Sequence, residues 1–174
     1  AVRGPGSSSD RRSRSAVDDA LRVGRYHAVP TPPRVLFVSK PIAPPYHDGT
    51  KCFVRDVAQN LEQVHPVVMG VRGGAQLPGA EVAPVYSDSG AYAPALEENV
   101  RAALYLTTGP GAALWHFVFA PNPRSSRVGR ALRTLRRASV VQTIASPPRD
   151  FSDAERLLFG DIVVAQSRAT RSRI

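Results

Sequence analysis

The 174-residue chain, 43% apolar and 21% charged, has the size and composition of one ordinary domain with a sizeable core. It contains no apolar run near the ~20 residues that span a bilayer, and no charged-then-apolar signal peptide opens it. A single cysteine, Cys52, excludes an internal disulfide framework and any multi-cysteine metal site, and the net charge of +9 is unevenly placed.

Residues 1–33 read as a disordered basic leader, because GPGSSSDRRSRS offers almost nothing to bury. The remainder, 34–174, alternates strand and helix signals. RVLFVSK (34–40) is a continuous β-branched and aromatic run, as expected of a strand buried on both faces. After a Pro/Gly loop, Thr50 is the expected N-cap of a helix of about 14 residues, with Val54, Val57, Ala58 and Leu61 at helical spacing. HPVVMGV (65–71) and AEVAPVY (80–86) follow as strands. Residues 94–106 predict a helix whose stripe is Leu96, Val100, Ala103 and Leu104. ALWHFVFA (113–120) is a fourth strand. Residues 125–138 predict a helix with Val128, Leu132 and Leu135 on the covering side and arginines opposite. SVVQTIA (139–145) is a fifth strand, 152–159 a short helix, DIVVAQ (161–166) a sixth strand, and Ser167 the cap of the next helix.

This alternation predicts a Rossmann-like three-layer α/β/α fold around a mostly parallel sheet. Function then belongs to the loops beyond the strands' C-terminal ends, which start at Lys40, Val71, Ala120, Ala145 and Gln166. The chain stops at SRATRSRI, a few residues into a newly capped helix, so a longer parent protein is expected.

Several chemistries find no support. GxxxxGK[ST], GxGxxG after a strand, GxSxG and HExxH are absent. His27, His47, His65 and His116 show no metal-ligand spacing, so no metal is expected. The loop YHDGTK (46–51) enters a helix N-terminus, where exposed N–H groups and the helix dipole favour an anion such as phosphate; Gly49 permits close approach and Lys51 adds charge. The same residues also suit an ordinary capped loop. His116 sits within an apolar strand, as a core residue or a functional one. Residues 122–138 carry six arginines and no acid, whereas 35–121 sum to −2. Arg124, Arg127, Arg130, Arg133 and Arg137 thus form either a solvated face or a contact for an anionic membrane surface. The slightly acidic middle of the chain argues against a nucleic-acid binder.

RVLFVSK, a PP-containing loop and DGTKCFVRDVAQNL together resemble the opening of retaining GT-B glycosyltransferases of family 4. Val54, Val57, Ala58 and Leu61 match that family's helix stripe, and Gly49 its second loop glycine, with Asp48 in place of the first. LWHFVFAPNP resembles the family strand with two histidines; His116 matches the first, and Val118 stands where the second would be. FGDIVVAQSRATRSRI resembles the strand ending in a capping serine, here Asp161 to Ser167. The resemblance spans residues 34–174 and implies the N-terminal, acceptor-side half of a GT-B enzyme, moving sugar from a nucleotide-sugar without a metal. It implies His116 as a catalytic residue, Asp48, Gly49, Thr50 and Lys51 as the donor-phosphate loop, and Tyr46, His47, Asn122 and Ser167 on the acceptor side. A C-terminal donor domain with an E-x7-E motif would complete the enzyme, and a cytoplasmic location, peripheral to the membrane, would follow. The alternative is a non-catalytic Rossmann-like module that meets an anionic partner through the arginine helix 124–137.

Overall fold

The computed structural model describes residues 31–87, 94–148 and 154–174. The chain divides into two units, Ala1–Thr31 and Pro32–Ile174, and the fold below is that of the second. The leader expected over 1–33 lies almost wholly outside the described residues.

Six strands make one sheet: β1 (Arg34–Val38), β2 (His65–Val71), β3 (Glu81–Tyr86), β4 (Leu114–Phe119), β5 (Ser139–Ile144) and β6 (Ile162–Ala165). Their order is β3-β2-β1-β4-β5-β6, and every pair is parallel. Parallel pairing requires crossovers; helices on the two faces supply them except between β2 and β3, where residues 72–80 cross without a helix. α1 (Gly49–Gln59) covers one face. Its Val54 and Ala58 pack on Val35, Phe37, Val68 and Val118. α2 (Leu96–Thr108) and α3 (Pro123–Arg136) cover the other, where Leu106, Ala102 and Leu132 meet Leu36, Trp115, Phe117 and Val140. Short α4 (Ala154–Leu157) and α5 (Arg168–Arg171) complete the described elements. The fold is therefore the expected α/β, Rossmann-like three-layer arrangement. Alternating side chains of β1 divide between the two cores, Val35 and Phe37 to one and Leu36 to the other.

Several local expectations are corrected. Asp48, not Thr50, caps α1: its carboxylate accepts from the Thr50 and Lys51 amides at 2.8 and 3.3 Å. A carboxylate two positions earlier reaches the first-turn donors that a Thr50 hydroxyl, already inside the helix, does not. α1 has 11 residues and ends before Leu61, which is exposed.

The stripe of α2 is inverted. Leu96, Val100 and Leu104 face outward, while Glu98 and Leu106 are buried. Glu98 stays on the inner side because its carboxylate accepts from the Ser87 amide at 3.0 Å and from the Ser87 hydroxyl, at the end of β3. In α3, Val128 and Leu135 likewise face out, and the inner contact is made by Ser126, Gly129 and partly buried Leu132. A Cβ on Gly129 would stand 2.5 Å from Cζ of Phe159, so only glycine lets the helix approach this closely.

The arginine face of α3 is only partly free. Arg130 donates to the carbonyls of Glu155 and Leu158, both at 3.0 Å, and Arg133 to the Phe159 carbonyl and the Asp161 carboxylate. Arg136 holds the Thr107 carbonyl at the end of α2. These guanidinium groups satisfy carbonyls that short or ending helices leave open. Arg137 takes the left-handed C-cap conformation (φ 51°) that stops α3. The short helix expected over 152–159 is seen as Ala154–Leu157, with 149–153 outside the described residues. β6 is an edge strand with Ile162 and Val164 exposed rather than buried on both sides.

Candidate functional site

Because all six strands are parallel, the loops after Lys40, Val71, Ala120, Ala145 and Gln166 leave the sheet on one edge. The chain runs outward from β1 in one direction through β2 and β3, and from β4 in the other through β5 and β6. The strand order therefore reverses between β1 and β4, the place where open α/β sheets form a ligand crevice. The starts of α1 and α3 flank it.

On the β1 side, Lys40 and Asp48 close the loop with an ion pair of 2.5 Å between Nζ and Oδ2. Burial works to raise the Asp48 carboxyl, but the Lys40 hydrogen bond and charge, with the Thr50 and Lys51 amides, outweigh it and hold it below the usual carboxylate value. The Asp48 carboxylate thus occupies the helix-start donors that an incoming phosphate would use, and the Lys51 side chain is buried. Tyr46 lies half-buried under Arg55, whose guanidinium carbon is 4.7 Å from the ring centre, and its carbonyl accepts from the Cys52 thiol. His47 and Gly49 are exposed. Behind the loop, buried Tyr86 donates to the Ser39 carbonyl at 2.6 Å and pins the end of β1; burial pushes its phenol upward.

On the β4 side, Asn122 caps α3, its Oδ1 accepting from the Ser125 amide at 2.9 Å, and Pro123 suits the first helical position. Its side chain is committed to the cap but lies exposed at the crevice. Ser167 caps α5 as expected, accepting from the Thr170 amide at 3.0 Å, but it follows β6 at the far end of the same edge. Tyr46, His47, Asp48, Gly49, Thr50 and Asn122 therefore gather at the switch point, and Ser167 does not.

His116 lies one layer deeper, in the middle of β4 beside Phe37 of β1. Its ring is 5.0 Å from the Phe37 ring and 6.3 Å, edge-on, from Phe53 of α1. Its Nε2 is 2.7 Å from Oγ1 of fully buried Thr143 on β5. Burial pushes its pKa down from 6.5 to about 4, so the imidazole is neutral at physiological pH. A neutral ring offers one donor and one acceptor without charge. Thr143 and Phe53 contribute to this site although the sequence pattern did not single them out, and Lys40 was marked only as the start of a loop. Lys40 carried a partial signal as a cation at a strand end. Thr143 carried none, because its partner is 27 residues away.

Among the described residues, no three His, Cys, Asp or Glu side chains converge to hold a metal ion. No helix among them is long and apolar enough to cross a membrane. A depression at the start of β5, lined by Arg133, Arg137 and Asp161, lies at the opposite edge of the sheet from the crevice, and its Arg133 is already paired with Asp161. No family model, curated protein or solved structure matches the chain.

Proposed function

We propose that the domain is the acceptor-side lobe of a retaining, GT-B-type glycosyltransferase. The observation that carries this reading is the crevice between β1 and β4, with neutral His116 beneath it and Tyr46, His47 and Asn122 around it. The acceptor group that reacts in sugar transfer to a glycan, lipid or small molecule is an uncharged hydroxyl, and these residues offer hydrogen-bonding partners for it. His116 hydrogen-bonds the sugar at the reacting centre, with Thr143 fixing the ring. A donor lobe supplies most of the nucleotide site, so the 174-residue chain alone transfers no sugar.

The phosphate role of the first loop is narrower than the residue types suggest. Asp48 holds two of the helix-start amides, and Gly49 keeps the N–H without a partner among the described residues. The departing nucleoside diphosphate is stabilised at that amide, and at Thr50 and Lys51 only when Asp48 turns away toward Lys40. In this reading the protein works without a metal, on the cytoplasmic side and at the membrane's periphery.

The Asp48–Lys40 plug also favours a second reading, a Rossmann-like binding domain with no transferase activity. One NMR experiment separates them. The full chain, labelled with 15N and 13C, is titrated with uridine diphosphate glucose, guanosine diphosphate mannose and free hexoses. The transferase reading expects shifts at Tyr46–Thr50, His116 and Asn122. No shift at those positions with any of these probes, or sugar transfer at a normal enzymatic rate by this chain alone, overturns the acceptor-lobe assignment.

A further inference from the structure

We infer that the outer faces of α2 and α3 form a surface that docks on anionic lipid bilayers. Both helices pack on the same face of the sheet, against one core cluster, so both outer faces look away from it on the same side. On α2, Leu96, Val100 and Leu104 recur at i, i+4 and i+8 and are 76%, 58% and 59% exposed. On α3, Val128 and Leu135 are 47% and 68% exposed, and Ala131 lies between them. Scattered exposed apolar residues are ordinary; here five large ones stand on the outward faces of two helices that cover the same core cluster.

Charge selects the occupant. Helix α3 carries five arginines and no acid. Three of them, Arg130, Arg133 and Arg136, are held by backbone carbonyls. Arg124 and Arg127 point out, one turn apart, beside Val128 and Ala131, with no partner among the described residues. Apolar side chains interleaved with free guanidinium groups suit the boundary of a bilayer, where the aliphatic chains sink among the acyl tails and the arginines meet lipid phosphates. A second copy of the chain would bring a patch of the same positive sign against this one. Nucleic acid would leave the leucines and valines facing its phosphates, and no aromatic ring stands in the patch to stack on a base. The inference deepens the membrane-peripheral placement proposed above, and its test reads lipid binding without any sugar transfer.

The test is flotation of the full chain with vesicles of pure phosphatidylcholine or of phosphatidylcholine mixed equally with phosphatidylglycerol. Binding is expected only to the mixed vesicles and falls with added salt. The variant Arg124→Ser/Arg127→Ser lowers the partition coefficient roughly 30-fold, taking each arginine near the surface at its usual weight. Val100→Ser/Leu104→Ser weakens binding through the apolar contribution, at unchanged salt dependence. All four side chains are exposed or flank the exposed stripe, so thermal unfolding of both variants is expected to match the parent. Equal flotation on both vesicle types, or retention of full binding by both variants, overturns the inference. So does binding to duplex DNA or to polyglutamate with no binding to vesicles.

Discussion

At the corner formed by β5, α3 and α4 the polar side chains grip mostly backbone groups, whereas at the crevice between β1 and β4 side-chain pairs stand beside the backbone caps. At the corner, buried Gln142 accepts from the Phe159 and Gly160 amides at 2.9 and 3.2 Å and donates to the Leu157 carbonyl at 3.0 Å. The Ser126 hydroxyl shares that carbonyl at 2.8 Å, and Arg130 and Arg133 take those of Leu158 and Phe159. A four-residue helix leaves nearly every carbonyl without an internal partner, so the side chains around α4 make up the shortfall. At the crevice the partners are Asp48 with Lys40 and His116 with Thr143, pairs of side chains on separate loops and strands. The corner's polar groups are locked by structure; the crevice's can exchange partners with a ligand or a proton.

The strongest way to break this contrast is Gln142→Leu. It strands the Phe159 and Gly160 amides and leaves the Leu157 carbonyl to Ser126 alone, and is expected to cost about 2–4 kcal/mol. Urea unfolding measures it. A loss under about 1 kcal/mol would mean that water, not Gln142, satisfies the loop.

Asp48→Ala is a smaller perturbation at the crevice and is expected to cost about 1 kcal/mol through loss of the α1 cap. Its pH dependence sharpens the comparison. The folded carboxyl lies below its ordinary value of 3.8, so its stabilisation is complete above that pH and fades as pH falls through and below it. The stability gap between parent and variant should therefore be flat at neutral pH and close under acid, as read by chemical unfolding at each pH. Asp48→Asn keeps a capping oxygen and should lose less at neutral pH.

The subtlest expectation concerns His116. Its folded pKa near 4 lies below the ordinary 6.5, so between those values the unfolded chain takes up a proton that the folded chain does not. Stability therefore falls as pH drops from 6.5 towards 4, and His116→Gln should remove that part of the slope. NMR titration of the His116 ring gives the direct readout. A midpoint near 6.5 would show the ring to be open to water and would deprive the crevice of its neutral imidazole.

The strands were legible because burial on both faces leaves an unambiguous record. RVLFV, HPVVMGV and LWHFVF carry apolar residues on both sides of the pleat, which only a sheet sandwiched between helices requires. The loops that surround the crevice followed from that, since parallel strands send all their C-terminal ends to one edge. The helix faces were not legible. Leu96, Val100 and Leu104 of α2 and Val128 and Leu135 of α3 face outward while Glu98 and Ser126 are buried, so periodicity located the helices and placed Leu132 on the core but pointed most of both stripes the wrong way. Glu98 and Ser126 are tolerated inside because Ser87 and the Leu157 carbonyl receive them, and those partners are 11 and 31 residues away.

The amino-acid sequence alone determined the class of fold, the places where strands and helices form, and the cap at Ser167, because each depends on residues within one or two turns of one another. Tertiary structure alone decided which side of each outer helix is buried, that Asp48 and Lys40 close the start of α1, and that Thr143 meets His116. Those outcomes rest on contacts between distant segments, where a close approach at Gly129 or a waiting carbonyl outweighs the local preference of an apolar stripe to be buried.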